Sequence, residues 1–284
     1  MTMPVAVVTD STAYLPEGLT ERYHVRVVPL HVTVADQARL EGVDLGPAEL
    51  AEALGRRRPV RTSMATPAEL AATYRHALDS GADGVVSVHL SGALSGTFES
   101  ARAAADQVAP DRVRVVDSRS TAMGLGFAVL AAAIAAGAGA DVRRAARVAT
   151  EVAARTRTLF CLETLEWLRR GGRIGAAQAL LGTALSIKPL LHVEDGRIVP
   201  LEKVRTSSRA EARLLDRAVE AAGDGPVAVA VHHLGTPERA ERVAGQMRER
   251  LPRLRDCFVS EVGAVVGAHT GPGALGIVVL PGGL

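Results

Sequence analysis

The feature that most restricts this chain is a pair of near-continuous apolar runs, GVVSVHL at 84–90 and VRVVDS at 113–118, each leading into a helical pattern. A strand with one wet face alternates apolar and polar residues. A run without alternation reads as a strand buried on both faces, as strands are inside a parallel sheet covered by helices. PVAVVTD at 4–10 and VRVVPLHVTV at 25–34 are also strand-like. GPAELAEALGRR from Gly46 and TPAELAATYRHALDSG from Thr66 are helical, the second with Thr66 as cap and Pro67 in the first turn. The first half is therefore expected to be an α/β domain with a largely parallel sheet flanked by helices.

An alanine-rich helical stretch, broken at Gly137 and Gly139, runs from Ser120 to about Arg157, and then the texture changes. TLFCLETLEWLRRGGRIGAAQALLG predicts a short strand and two helices, and Asp195-Gly196 between apolar runs is a hairpin signal. A hairpin inside an α/β pattern implies a second, mixed sheet. The boundary is placed near Thr158, giving an N-terminal α/β domain over 1–157 and a C-terminal α/β domain over 158–284.

Composition narrows the function. Net charge is +2, with 33 basic and 31 acidic residues interspersed, and aromatics are 3% of the chain, too few for base-stacking platforms. Nucleic acid is not an expected partner. The start shows no basic segment followed by a long apolar run, and AVLAAAIAAGAGA from Ala128 is too short to cross a bilayer, so a cytoplasmic protein is expected. Cys161 and Cys257 lack metal-ligand spacing and read as buried, inert thiols. His232 and His233 are neighbours in an extended segment, so their rings point to opposite faces and a shared metal is not expected.

Near the end, GPGALG at 271–276 satisfies G-x-G-x-x-G letter by letter. A dinucleotide fingerprint needs a strand before the glycines and a helix after them. Here the glycines run into IVVLP, so the segment reads as a shaped loop holding His269. No Walker A loop or paired-acid signature supplies an ATP site, and no cofactor or metal is expected.

Hydroxyl-rich loops recur at the ends of predicted strands: TDSTAYLP, HLSGALSGT, VDSRSTAMGLG and, before a helix, RTSMATP. Ser11, Ser118 and Thr66 read most simply as helix N-caps. LSGALSGTFESARAAA sends a Gly/Ser loop straight into a helix, an arrangement able to meet an anion. Ser95 stands one place late for a G-x-S-x-G nucleophile elbow; a fatty acyl esterase pairing Ser95 with His269 is the alternative reading.

With Asp10-Ser11, RTSMATP, HLSGALSGTFESA, VVDSRSTAMGLG, LRRGGRIG, IKPLL and GAHTGPGALG in order, the sequence resembles the DegV family of bacterial fatty-acid-binding proteins over essentially its whole length. The resemblance implies two α/β domains with one acyl chain buried in a tunnel between them. It implies a non-enzymatic subunit that presents a long-chain fatty acid, such as palmitate, to a separate ATP-binding fatty acid kinase in phospholipid metabolism, with transient membrane contact for lipid exchange. By position, Thr62, Ser95 and His269 are the implied carboxylate ligands. Ser63, Gly96, Thr97, Gly271 and Gly273 belong to the supporting loops, and Arg170, Arg173 and Arg205 to kinase docking. Two departures stand out: Ala65 where the family usually has proline, and Ser91-Gly92-Ala93 where many members have Ser-Ser-Gly. A third reading, a regulator of some other small carboxylate, would take a short polar ligand.

Burial of about 15 methylenes gains on the order of 12 kcal/mol before costs, so the acyl chain would dominate affinity and the carboxylate would fix orientation. A carboxylate beside His269 is expected to raise its pKa. GLGFAVLAAAIAA and AAQALLGTALSI offer lining for a tunnel, though such runs are more often plain core.

Overall fold

The computed structural model describes residues 5–180 and 187–284. In chain order the elements are β1 (Val5–Asp10), α1 (Leu19–Arg22), β2 (Val25–Val28), β3 (His31–Val34), β4 (Gln37–Leu40), α2 (Pro47–Gly55), β5 (Val60–Ser63), α3 (Pro67–Asp79), β6 (Gly84–His89), α4 (Thr97–Val108) and β7 (Val113–Asp117). They continue with α5 (Met123–Gly137), α6 (Val142–Arg155), β8 (Arg157–Cys161), α7 (Glu166–Arg170), β9 (Lys188–Glu194), β10 (Arg197–Val204), α8 (Ser207–Ala222), β11 (Val227–His233), α9 (Pro237–Arg250), β12 (Leu254–Glu261), α10 (Ala264–Thr270) and β13 (Leu275–Pro281). One turn of 3-10 helix occupies Ser11–Ala13 and two turns occupy Gly175–Leu180. The stretch 181–186 of the AAQALLGTALSI run lies outside the described residues.

The chain forms two compact units, each built from separated stretches: Met1–His31 and Ser63–Arg155 with Leu284, and Val32–Thr62 with Thr156–Gly283. The later break, at Thr156, lies two residues before the expected division at Thr158, and the larger difference lies elsewhere. The excursion 32–62, assigned from its linear position to the first domain, packs with the second unit. The reason is long-range: α2 packs on α10, and Leu50 of α2, fully buried, has its side chain against Gly267.

In the first unit four parallel strands lie in the order β2-β1-β6-β7, with Val7 opposite Val25 on one side and Val86 on the other. Every residue of β6 is buried, as its unbroken apolar run required. Helix pairs α3/α4 and α5/α6 pack on this sheet. α6 shows the usual amphipathic economy, burying Ala145, Ala149 and Val152 at helical spacing. α5 has no wet stripe: twelve of its fifteen residues are buried, so it is a core helix rather than a surface one.

In the second unit a six-stranded sheet runs β10-β9-β8-β13-β11-β12; only β11 and β12 pair in parallel. β9 and β10 form the expected hairpin, with Asp195 and Gly196 at φ of 50° and 77°, the left-handed pair that a two-residue turn needs. α8 and α9 pack on the sheet, α9 through Ala240, Val243, Ala244 and Met247. A smaller sheet has the order β4-β3-β5.

Two capping expectations are corrected. Thr66 caps α3 in a full capping box, accepting from Glu69 N at 3.3 Å while its own N–H donates to Glu69 at 2.8 Å. Ser11 and Ser118 cap no helix. Ser11 Oγ accepts from Leu30 N at 3.0 Å, bracing the turn after β2, and Ser118 Oγ accepts from Ser120 N at 3.2 Å within a turn. A short hydroxyl competes for any nearby backbone group, and here the turn wins. Cys161 is buried, and burial pushes its thiol up to about 11; Cys257 is half-buried rather than buried, its thiol also raised by burial. Among the described residues no helix is long and apolar enough to cross a membrane.

Candidate functional site

In the second unit, α10 carries His269 in its last turn. The helix is held from both ends. At its start Val265 N donates to Glu41 Oε1 at 2.6 Å, and Glu41 is 4% exposed although it lies 224 residues earlier in the chain. At its end Gly271, at φ of 75°, closes the turn by donating to Gly267 O at 2.8 Å. Trp167 packs so closely there that a Cβ on Gly271 would lie 2.0 Å from its ring. Gly273, also at positive φ, donates to Leu234 O at 3.1 Å and leads into β13. The glycines thus follow a helix and precede a strand, the reverse of a dinucleotide turn.

Thr62, near the end of β5, meets His269 with its Oγ1 2.8 Å from Nε2. The other ring nitrogen, Nδ1, is buried with no hydrogen-bond partner among the described residues and faces the Gly171 backbone, where a Cβ would stand 1.9 Å away. This arrangement selects a tautomer. A proton on Nδ1 would be a buried orphan N–H, which folded proteins avoid more strictly than an orphan acceptor. The proton therefore sits on Nε2 and is donated to Thr62 Oγ1, leaving the threonine's own hydrogen to point elsewhere. Burial, and then the charge of Arg173, push the His269 pKa down to about 4, so the ring is neutral at pH 7.

Arg173 donates to Gly171 O at 2.7 Å and acts electrostatically on His269, so its place is beside the Thr62–His269 pair. Arg170 is exposed, 2.7 Å from Glu166 and stacked 5.5 Å from the Trp167 ring centre. With Arg169 it holds the Glu166 carboxyl at about 2. Arg205 is exposed in the link between β10 and α8.

In the first unit, Ser63 ends β5 and starts the stretch that leads into α3, with Ala65 fully buried at the family's proline position. Ser95 lies in the loop between β6 and α4. Its backbone N–H donates to Ser91 O at 3.1 Å, its Oγ lies 3.0 Å from Thr97 Oγ1, and it accepts from Thr97 N at 3.3 Å. Gly96 admits the Met64 sulfur where a Cβ would lie 2.5 Å away, and Thr97 is buried at the first turn of α4. Ser91 is buried, its Oγ accepting from Ala93 N at 3.2 Å, while Gly92 N donates to Asp117 at 3.3 Å.

His232 is buried with Nδ1 3.1 Å from Ser260 Oγ, and burial pushes its pKa to about 4. His233 Nδ1 accepts from Thr236 N at 3.4 Å. Among the described residues no group of three or more His, Cys, Asp or Glu side chains is placed to hold a metal.

Sequence reading missed Glu41, Trp167 and the second role of Gly171, which caps α7 and also makes room for His269. No local signal marks Glu41, because its partner is remote. Glu41→Ala strands the buried Val265 N–H, a loss of about 1–3 kcal/mol. Calorimetry should show a melting temperature several degrees lower; an unchanged melting temperature would mean that Glu41 does not anchor α10.

The DegV family pattern, described as an uncharacterised protein family, matches residues 4–282. A DegV domain-containing protein of Streptomyces coelicolor is 56% identical over 279 residues, covering 98% of this chain and 99% of the relative. A solved structure describing fatty acid binding of a DegV family protein from Thermus thermophilus is similar with a TM-score of 0.93 and 33% identity, covering 98% of this chain and 100% of that one. The structure of DegV, a fatty acid binding protein from Bacillus subtilis, is similar with a TM-score of 0.88 and 35% identity, covering 98% and 99%. A family match along nearly the whole chain, a relative at more than half identity and the shared fold lead to one conclusion: this chain belongs to the DegV family.

Proposed function

We propose that the chain binds a long-chain fatty acid, its carboxylate held at a site of Thr62, Ser95 and His269 in which the histidine acts through Thr62, and presents that carboxylate to an ATP-binding kinase. The observation that carries the reading is the Thr62–His269 pair, in which a neutral imidazole donates to the threonine and leaves the threonine's own hydrogen for another acceptor. A carboxylate accepts such a hydrogen, and Arg173 adds positive charge beside it. Fatty acid binding by the Thermus thermophilus and Bacillus subtilis proteins supports the ligand class. The bound carboxylate in turn favours the imidazolium, opposing the effects of burial and of Arg173.

In the transfer step a carboxylate oxygen attacks the γ-phosphorus of ATP held by the partner, ADP leaves, and an acyl phosphate forms on this chain. Arg170 and Arg205, both exposed, are the proposed docking contacts, and Arg173 stays with the head group. The esterase reading is weaker because, among the described residues, His269 Nδ1 has no carboxylate behind it to orient the ring and stabilise a positive charge.

Native mass spectrometry of the freshly purified protein, followed by organic extraction, tests the reading. One long-chain fatty acid per chain is expected, held at least tenfold more weakly by Thr62→Ala, Ser95→Ala or His269→Ala. An empty protein that also refuses added fatty acids overturns it. Hydrolysis of acyl esters that is lost in Ser95→Ala would establish the esterase instead.

A further inference from the structure

Four side chains of the first unit form a hydrogen-bond chain that the proposed function leaves unused. Tyr74 donates its hydroxyl to Ser87 Oγ at 2.8 Å, Ser87 Oγ lies 2.7 Å from His89 Nε2, and His89 Nδ1 lies 2.9 Å from Asp10 Oδ2. The order serine, histidine, aspartate is that of a hydrolase triad. All four residues are nevertheless 0% exposed, so no substrate reaches the hydroxyl.

With one proton on the His89 ring, the protons in this chain can be arranged in one way. Asp10 Oδ2 also accepts from Leu90 N at 3.0 Å, and Oδ1 accepts from Thr12 N at 3.1 Å and from the Thr12 hydroxyl. Donors face both oxygens, so Asp10 acts only as an acceptor and His89 must carry its proton on Nδ1. Nε2 is then the acceptor, Ser87 donates to it, and Tyr74 donates to Ser87.

The same carboxylate fixes the root of the Ser95 loop. Leu90 is the first residue beyond β6, and Ser91 follows it, donating to Ser120 O at 2.8 Å and accepting from Leu94 N and Ser95 N at 2.9 and 3.1 Å. At the other end Tyr74 belongs to α3, the helix that follows Ser63. We propose that Asp10 is a positioning residue: through Leu90 and the His89–Ser87–Tyr74 chain it sets the Ser95 loop for the head group. The proposal rests on the reading that Ser95 meets a carboxylate.

Asp10→Asn tests it at constant shape. An amide nitrogen in place of Oδ2 confronts the Leu90 N–H, and in place of Oδ1 it confronts the Thr12 N–H, so one buried donor loses its acceptor either way. In the wild type, nitrogen-15 NMR should show His89 as the Nδ1–H tautomer and slow hydrogen exchange at the Leu90 and Ser95 amides. Asp10→Asn should speed exchange at both and weaken binding of added palmitate at least tenfold. Ala149→Gly, a remote destabilising change in α6, should leave affinity unchanged.

Should Asp10→Asn not fold, Ser87→Ala carries the test. With no donor to Nε2 it should keep the Nδ1–H tautomer that Asp10 imposes but shift the Nε2 resonance, with faster Ser95 exchange and palmitate affinity weakened twofold to fivefold. A wild-type His89 protonated on Nε2, a folded Asp10→Asn protein with wild-type affinity and exchange, or an unaltered Ser87→Ala spectrum overturns the proposal. A wild-type protein that ignores palmitate sinks the fatty-acid reading instead, and the tautomer and exchange results then decide the positioning role by themselves.

Discussion

Gly171→Ala is expected to weaken fatty acid binding by roughly 10- to 100-fold, the loss that follows when hydrogen bonds worth about 1.5–3 kcal/mol to a charged group are broken. The new Cβ would stand 1.9 Å from His269 Nδ1, so either the ring or the α7 end must move, and the 2.8 Å contact with Thr62 goes with it. Gly172→Ala is the matched control. Gly172 has positive φ but nothing within 4 Å of a built Cβ, so this change strains the backbone without touching the ring. Titration calorimetry with a long-chain fatty acid should separate the two variants by about an order of magnitude. Equal affinities would remove His269 from the head-group site.

Acid should destabilise the protein well before its carboxylates are protonated. Unfolded, His232 takes a proton near 6.5; folded, burial delays this to about 4. Between those values the unfolded chain holds the extra proton, so stability present above pH 6.5 is lost progressively as pH falls towards 4. At about 1.4 kcal/mol per unit, the loss from His232 approaches 3 kcal/mol. His269, with its pKa likewise pushed down to about 4, adds a loss of the same sign. Urea midpoints followed by circular dichroism should drop between pH 7 and pH 4.5, and His232→Gln should flatten the curve. A midpoint independent of pH in that range would show that His232 is accessible to protons in the folded state.

Much of the fold was legible because it follows from local rules. The unbroken GVVSVHL run announced a strand with no wet face, Thr66 and Pro67 a helix start, and Asp195-Gly196 a hairpin, and each stands in the structure. What could not be read was pairing at a distance. Residues 32–62 look like one more piece of an α/β domain until Glu41 is seen capping α10. Thr62 and His269 were singled out by resemblance to a family; nothing in their own neighbourhoods tells that they touch across 207 residues. Ser11 and Ser118 misled for the opposite reason, since a serine hydroxyl suits a cap, a turn or a neighbouring strand equally well.

The place of β13 bears on how the protein is made. Synthesised last among the strands of its sheet, β13 enters the middle, between β8 and β11. As the chain leaves the ribosome, β8, β9 and β10 can pair at once, and so can β11 and β12, but these two halves share no ladder until β13 arrives. His269 lies just ahead of that strand. The step that closes the sheet is thus the step that sets the histidine against Thr62, so the second unit completes its sheet and the Thr62–His269 contact in one event.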